Sequence, residues 1–233
     1  MNRKSLAKQL IQMKESYPNK SYRVSDATRK ECYDYFRLNC GDIVAIEEIS
    51  ELMEELSRYA RGRFTDYNDL GLLEEITDVL INTEYVFYRL DTTTVEKSVH
   101  SIFIDYENSI AERIKKMDKK SNVTITSLGK ELNNLQKLLL NAFSLDKNVE
   151  RKISSFQRKR ILRSCISTTA DIVRFIKENG CDQTSINIIK SIKFNHVMER
   201  LKEFERLDKV FERLDKEIEA TRCSKVVSRY PRD

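Results

Sequence analysis

Residues 42–91 read DIVAIEEISELMEELSRYARGRFTDYNDLGLLEEITDVLINTEYVFYRLD, and they contain two amphipathic helical patterns joined by a short polar segment. In each pattern the apolar residues recur at the three- and four-residue spacing of one helix face. The joining segment contains Gly62, Gly71 and several turn-forming residues. The stretch therefore predicts an antiparallel helical hairpin.

Acidic residues form a second stripe beside each apolar face. Both stripes have the spacing i, i+3, i+7, with Glu48, Glu51 and Glu55 in the first helix and Glu75, Asp78 and Asn82 in the second. If Ala60 lies opposite Gly71, the two residue numbers in each facing pair of the hairpin add up to about 130. In that register the acidic stripe of the first helix faces the acidic stripe of the second. Carboxylates held this close repel one another, and a divalent cation removes that cost. The hairpin therefore predicts a cation site.

The composition favours an all-α protein. Five Gly and two Pro in 233 residues leave long periodic segments uninterrupted. The sequence has no apolar run of the roughly 18 residues that a membrane span needs, and its N-terminus lacks a signal-peptide core. The five cysteines are scattered without CxxC spacing, which favours reduced structural thiols over a zinc site. We expect a cytoplasmic protein that does not enter membranes.

The charge is distributed unevenly along the chain. Residues 42–91 contain 13 acidic residues and 4 arginines, a net charge of −9, within a chain of net charge +5. The remainder therefore carries +14. An acidic pocket in a basic body suits a cation together with an anionic substrate, although basic helix surfaces are more often only solvated.

Further helices are predicted on both sides of the hairpin. Their approximate ranges are 4–16, 26–39, 91–116, 125–145, 150–179 and 182–221. In the last of them FERLDKV is followed at once by FERLDKE, which places Phe204, Leu207, Phe211, Leu214 and Ile218 at heptad a and d positions. This apolar stripe suits either packing on the chain's own bundle or a homodimer.

The two halves of the chain have similar patterns, which predicts a tandem duplication. EEISEL (47–52) aligns with SLGKEL (127–132), and EEITDVLI (74–81) aligns with STTADIVR (167–174). The aligned acidic positions are Glu48/Leu128, Glu51/Glu131, Glu75/Thr168 and Asp78/Asp171. The predicted division is an N-terminal helix and loop (1–24), a half with the intact acidic motif (25–119), a degenerate half (120–221) and a flexible tail (222–233).

The paired acidic motif carries a family resemblance. EE-x-x-E at Glu47, Glu48 and Glu51, followed by E-x-x-D at Glu75 and Asp78, resembles the all-α nucleotide pyrophosphohydrolases, the MazG-like and dimeric dUTPase group. The similarity covers residues 30–118 well and 121–214 weakly. It implies a MazG-like helical bundle that hydrolyses nucleoside triphosphates to the monophosphate and pyrophosphate with Mg²⁺, for which Mn²⁺ can substitute.

The resemblance implies a set of site residues at the positions of this sequence that match the family's motif. The metal ligands would be Glu48, Glu51, Glu75 and Asp78, and Glu47 would orient or deprotonate the attacking water. The substrate contacts would be Arg58, Arg61 and Arg63 for the phosphates and Asn82 and Tyr85 for the sugar or base. Only the first half keeps the full acidic set, so we expect one active site per chain.

Other interpretations of the same residues remain. Acidic helix stripes are usually solvated faces, and the arginines also suit surface salt bridges. A catalytically inactive helical interaction or regulatory protein could retain the bundle and its acids by descent. The interpretation as a nucleic-acid-binding protein depends only on the positive charge of the residues outside 42–91. The sequence contains no recognised nucleic-acid-binding motif, so no specific nucleic acid is expected. Among substrates, dUTP, dCTP and modified nucleotides all stay open.

Overall fold

The computed structural model describes residues 2–16, 22–38, 41–63, 66–91, 98–117, 122–143 and 153–227, of which 211–227 are described by their backbone only. Each regular element in these ranges is an α-helix, which confirms the all-α prediction. The helices are α1 (Arg3–Ser16), α2 (Asp26–Leu38), α3 (Gly41–Ala60), α4 (Leu70–Asp91), α5 (Val99–Lys116), α6 (Ile125–Ala142), α7 (Ser155–Glu178) and α8 (Gln183–Val227).

The chain forms two compact units, Met1–Phe194 and Asn195–Asp233. The first unit contains both predicted halves as far as Phe194. The predicted flexible tail is helical up to Val227, and residues 228–233 lie outside the described part of the chain.

Two helical hairpins form the centre of the first unit. Helix α3 packs on α4 and α6 packs on α7, while α4 also contacts α7 and α3 contacts α6. Leu52, Ile76, Leu132 and Leu135 are fully buried in this bundle. Because each buried aliphatic side chain contributes about 1.5–3 kcal/mol, the apolar stripes of the four helices account for their packing.

Helix α4 lies at the middle of this arrangement. It contacts α1, α2, α3, α5 and α7, so most of its residues are buried on every side. Some of its polar groups pair with neighbouring helices: Thr83 shares a hydrogen bond of 3.0 Å with Thr169, which shares one of 2.7 Å with Tyr106. These buried hydroxyls join α4, α5 and α7 at one point.

Side-chain caps fix where three helices begin. Ser98 accepts the backbone N–H of Ser101 before α5, and capping boxes at Thr124 and Ser154 open α6 and α7. The start predicted near Asp91 differs from the described one. Asp91 ends α4, residues 92–97 lie outside the described part of the chain, and α5 begins where Ser98 supplies an N-terminal acceptor.

A buried ion-pair network attaches α2 to its neighbours. The Arg29 guanidinium bonds Asp26 (2.5 Å), Glu84 (2.7 Å) and Glu107 (3.3 Å) and stacks on the Phe103 ring at 3.9 Å. Arg29 and Glu84 are both about 5% exposed. Each of the two residues keeps another ion-pair partner, since Arg29 also pairs with Asp26 and Glu107 and Glu84 also pairs with Lys190, so the network joins α2, α4 and α5 through several contacts.

In the second unit, Phe204, Leu207 and Val210 are 51%, 44% and 45% exposed. The later heptad residues lie where only the backbone is described. Within the described ranges, none of the helices combines the length and the apolar character that crossing a membrane requires.

Candidate functional site

The facing acidic stripes of α3 and α4 bring three carboxylates together. One oxygen from each of Glu48, Glu51 and Glu75 lies within 4.8 Å of the other two. Glu75 is buried, Glu48 is half-buried and Glu51 is exposed, so this acidic triad reaches solvent through Glu51. The i, i+3 spacing on α3 and the hairpin register together produce the convergence.

Asp78, one turn after Glu75, forms an ion pair with Lys193 of α8. The same Nζ atom lies 3.3 Å from Oε1 of Glu74. Burial disfavours the charged form of Lys193, but the electrostatic attraction and hydrogen bonds of Asp78 and Glu74 outweigh it and raise the pKa of Lys193. Helix α8 therefore places a permanent cation at the edge of the acidic triad.

A second cation comes from the N-terminal helix. Arg3 donates hydrogen bonds to Glu55 (3.1 Å), Glu74 (3.3 Å) and Glu75 (3.1 Å), all of which are buried. Its contact with both Glu55 and Glu75 agrees with the predicted hairpin register. Sequence analysis missed Arg3 and Lys193, which lie outside residues 42–91 and belong to ordinary basic segments.

One carboxylate oxygen in the triad is left without a partner. Oε1 of Glu75 accepts from Arg3, whereas Oε2 is buried and has no hydrogen-bond partner among the described residues. Buried carboxylate oxygens are normally hydrogen-bonded, so an orphan oxygen marks a place for a cation or a proton.

The electrostatics of the cluster follow from burial and like charge. Burial, reinforced by the charge of Asp78, raises the pKa of Glu48 to about 8. Burial, together with the negative charges of Asp78 and Glu51, raises the pKa of Glu75 to about 7, although the hydrogen bond from Arg3 acts in the opposite direction. Burial raises the pKa of Asp78 to about 6 despite Lys193. Without a bound cation, the cluster retains protons near neutral pH.

This retention predicts a pH-dependent stability for the ion-free protein. Folded Glu48 keeps its proton up to a pKa of about 8, whereas the ordinary side chain loses it near 4.5. Between these values the folded chain binds more protons than the unfolded chain, so the free energy of unfolding decreases as the pH rises. Thermal denaturation in EDTA should show a melting temperature that falls over this window. Glu48→Gln should flatten the dependence, and a rising melting temperature would contradict the protonated cluster.

The arginines predicted to contact phosphate occupy different environments. Arg58 is paired with Glu54 (2.5 Å) and Glu55 (2.8 Å) on its own helix. Arg61 and Arg63 are exposed in the segment that follows α3. Glu47, predicted to act on water, is exposed one position away from the acidic stripe.

The two residues predicted to contact sugar or base lie inside the protein. Asn82 is buried and donates to the Asp78 carbonyl at 2.9 Å. Tyr85 is fully buried, its ring lies 5.9 Å from Tyr33 and 5.8 Å from Phe36, and its hydroxyl donates to Asp42 at 3.4 Å. Because α4 has neighbours on most sides, continuing the acidic stripe along it leads into the core and not to a surface.

The aligned positions of the second hairpin form no such triad among the described residues. Leu128 and Thr168 are fully buried. Asp171 is 9% exposed, and burial together with the charge of nearby Glu131 raises its pKa to about 6. Of the four aligned positions, two are therefore acidic, Glu131 and Asp171, and two are buried non-acidic residues, Leu128 and Thr168.

A cleft of about 380 Å³ lies beside the Arg29 network and is lined by Tyr22, Arg23, Val24, Arg29, Thr184, Asn187 and Lys190. Its cations are already matched by acids: Glu84 accepts from both Arg29 and Lys190 at 2.7 Å, and Arg23 lies 3.7 Å from Glu107. The acidic triad, in which the negative charges are not each paired with a cation among the described residues, is the stronger candidate site.

Comparison of the chain with known protein families, curated proteins and solved structures finds no match.

Proposed function

We propose that the protein is a Mg²⁺-dependent nucleoside triphosphate pyrophosphohydrolase of the MazG-like type, with one active site per chain. Two observations carry this proposal: one oxygen from each of Glu48, Glu51 and Glu75 lies within 4.8 Å of the other two, and Oε2 of Glu75 is buried with no partner among the described residues.

The donor set fits a hard cation. Mg²⁺ prefers carboxylate oxygens, keeps several waters and is commonly shared with substrate phosphates. Glu48, Glu51 and Glu75 would hold it, and Asp78 would complete the set of four acids. When bound, the ion would polarise the phosphates and supply an activated water.

The chain's own cations and acids would then act on the substrate. Lys193 pairs with Asp78 and Glu74, and it would be a cation already in position to contact an oxygen of a bound triphosphate. Glu47, exposed beside the triad, would accept a proton from water. Arg61 and Arg63 are exposed near the end of α3 and are available to outer phosphates.

We also propose that the second hairpin is a degenerate copy of the first. Leu128 is fully buried where the alignment places Glu48, and Thr168 is fully buried where it places Glu75. An apolar side chain at the first position favours packing over ion binding. The second hairpin would thus complete the bundle and leave the chemistry to the first.

The cation site predicts a thermal shift. Mg²⁺ or Mn²⁺ should raise the melting temperature, because an ion that binds only the folded state stabilises it by mass action. At an ion concentration of about 100 times Kd the gain is about 2.7 kcal/mol. Differential scanning fluorimetry with each ion measures the shift, and Glu51→Gln or Asp78→Asn should reduce it.

Monovalent salt at matched ionic strength is the control for charge screening. A shift reproduced by that salt would sink the specific cation site, as would calorimetry that detects no divalent-ion binding with or without a nucleotide analogue.

The reaction is tested by incubating the protein with a panel of ribo- and deoxyribonucleoside triphosphates, including modified bases, in Mg²⁺. We expect at least one of them to be converted to its monophosphate, with turnover lost in EDTA. The alternative is a non-catalytic interaction protein, which the exposed Leu207 and Val210 of the second unit favour. Complete absence of turnover across the panel would leave that alternative.

A further inference from the structure

Arg3 connects the N-terminal helix to the acidic triad through one residue. Of its three acceptors, Glu55 also accepts from Arg58 at 2.8 Å, and Glu74 also lies 3.3 Å from Nζ of Lys193. Glu75 differs, because Arg3 is its only hydrogen-bond donor among the described residues. Loss of Arg3 would therefore leave Glu55 and Glu74 with a cation and Glu75 with none.

The two oxygens of Glu75 have separate surroundings. Arg3 Nη2 holds Oε1 at 3.1 Å, while Oε2 is buried without a partner in the described part of the chain. A carboxylate fixed by one oxygen loses its freedom to rotate, so the direction of the other oxygen is set. Outer hydrogen bonds of this kind orient metal-binding carboxylates in proteins.

The guanidinium of Arg3 occupies a space that the chain leaves for it. A Cβ atom at Gly71, in the first turn of α4, would lie 3.1 Å from Nη1 and 3.2 Å from Cζ of Arg3. A Cβ atom there would also lie 3.0 Å from Oδ1 of Asp69, so a larger residue would require the Asp69 carboxylate and the guanidinium to shift by a few tenths of an ångström. Glycine thus permits the close approach of α1 to the start of α4.

We propose that Arg3 is a positioning residue for the cation site: it holds Oε1 of Glu75 and thereby presents Oε2 to the ion. This role rests on the cation site of the proposed function. In this arrangement the cation would use Oε2 while Arg3 keeps Oε1, so Arg3 would not compete with the ion.

The test is the affinity for Mn²⁺ without nucleotide, measured by electron paramagnetic resonance of the free ion. Arg3→Gln should raise the Kd for Mn²⁺ by about tenfold, the low end of the effect of losing an outer partner of a metal ligand. Lys4→Gln is the matched control, since it removes one positive charge from an exposed neighbour on the same helix. We expect its Kd to stay within about twofold of the wild type, because exposed charges are screened by solvent.

Two further variants keep the test independent of folding. Gly71→Ala adds a methyl group against the guanidinium while keeping its charge, and it should weaken Mn²⁺ binding in the same direction as Arg3→Gln. In a Glu75→Gln background, Arg3→Gln should have no further effect on the Kd, since the two residues act through one contact. The melting temperature of each variant in EDTA shows whether the binding loss exceeds any loss of fold.

The outcomes separate the two claims. Absence of Mn²⁺ binding by the wild-type protein would overturn the cation site and the role of Arg3 with it. Wild-type binding together with an unchanged or tighter Kd in Arg3→Gln would overturn the positioning role alone, as would an equal loss in Lys4→Gln or a full effect of Arg3→Gln in the Glu75→Gln background.

Discussion

Replacement of Glu48 by alanine is expected to abolish nucleotide hydrolysis while the helical circular dichroism spectrum stays intact. Glu48 belongs to the triad whose oxygens lie within 4.8 Å of one another, so its loss removes one ligand and part of the charge that holds the cation. The fall in kcat should be on the order of a hundredfold or more, as when one preorganised electrostatic contact to a transition state is lost. Steady-state assays of monophosphate formation provide the measurement.

The isosteric change Glu48→Gln should lower activity but maintain or raise the stability of the ion-free protein. Burial and neighbouring carboxylates raise the pKa of Glu48 to about 8, which means that its ionised form is disfavoured in the folded protein. In EDTA at a pH of about 8, the glutamine variant should melt at or above the wild-type temperature. A Glu48 variant that stays folded and keeps wild-type turnover would exclude Glu48 from the active site.

The second large effect is an asymmetry between the two halves of the chain. Asp78→Asn should remove most activity, because Asp78 lies beside the triad and pairs with Lys193. Asp171→Asn and Glu131→Gln should cost far less, because Leu128 and Thr168 stand in their hairpin where the alignment places Glu48 and Glu75, so two of the four acidic positions are lost. Parallel kinetics on the three variants, with melting temperatures recorded for each, measure the difference.

Leu128→Ala tests the structural role of the second hairpin. The Leu128 side chain is fully buried, so its truncation should lower the free energy of unfolding by about 2–5 kcal/mol in urea denaturation. Activity per folded molecule should change little. If Asp171→Asn were as inactive as Asp78→Asn at an unchanged melting temperature, the second hairpin would contribute a working or shared site.

Periodicity was enough to predict the two helices of the hairpin and the proximity of Glu55 to Glu75. The apolar spacing in residues 42–91 identifies α3 and α4, and the register derived from Gly71 places Glu55 near Glu75, where both bond Arg3. Local signals of this kind work because helix geometry relates sequence spacing directly to position. The same geometry explains why the acids converge on one face.

The amphipathic pattern of α4 does not show which of its sides are covered. Extending the acidic stripe to Asn82 and Tyr85 assumes that one side of the helix faces solvent, yet α4 has neighbours on nearly every side. Tyr85 consequently joins the aromatic core around Tyr33. Which sides of a helix are covered depends on the tertiary arrangement of the other helices, and a single amphipathic pattern does not contain that information.

Arg3 and Lys193 were beyond prediction for a related reason. Each is one of 42 Lys and Arg residues, and neither lies in a motif or an unusual charge pattern. They reach the acids from α1 and α8, about 70 and 115 positions away in sequence. Contacts between distant basic and acidic residues follow from how the outer helices dock, which helix periodicity does not determine.

The most direct test of the proposed pyrophosphohydrolase activity is quantification of both products formed from a nucleoside triphosphate by the wild-type protein in Mg²⁺. Ion-exchange chromatography should show monophosphate and pyrophosphate in equal amounts, and neither in EDTA or with Glu48→Ala. Stepwise release of orthophosphate, turnover that persists in EDTA, or no turnover of any nucleotide would contradict a metal-dependent pyrophosphohydrolase built on Glu48, Glu51 and Glu75.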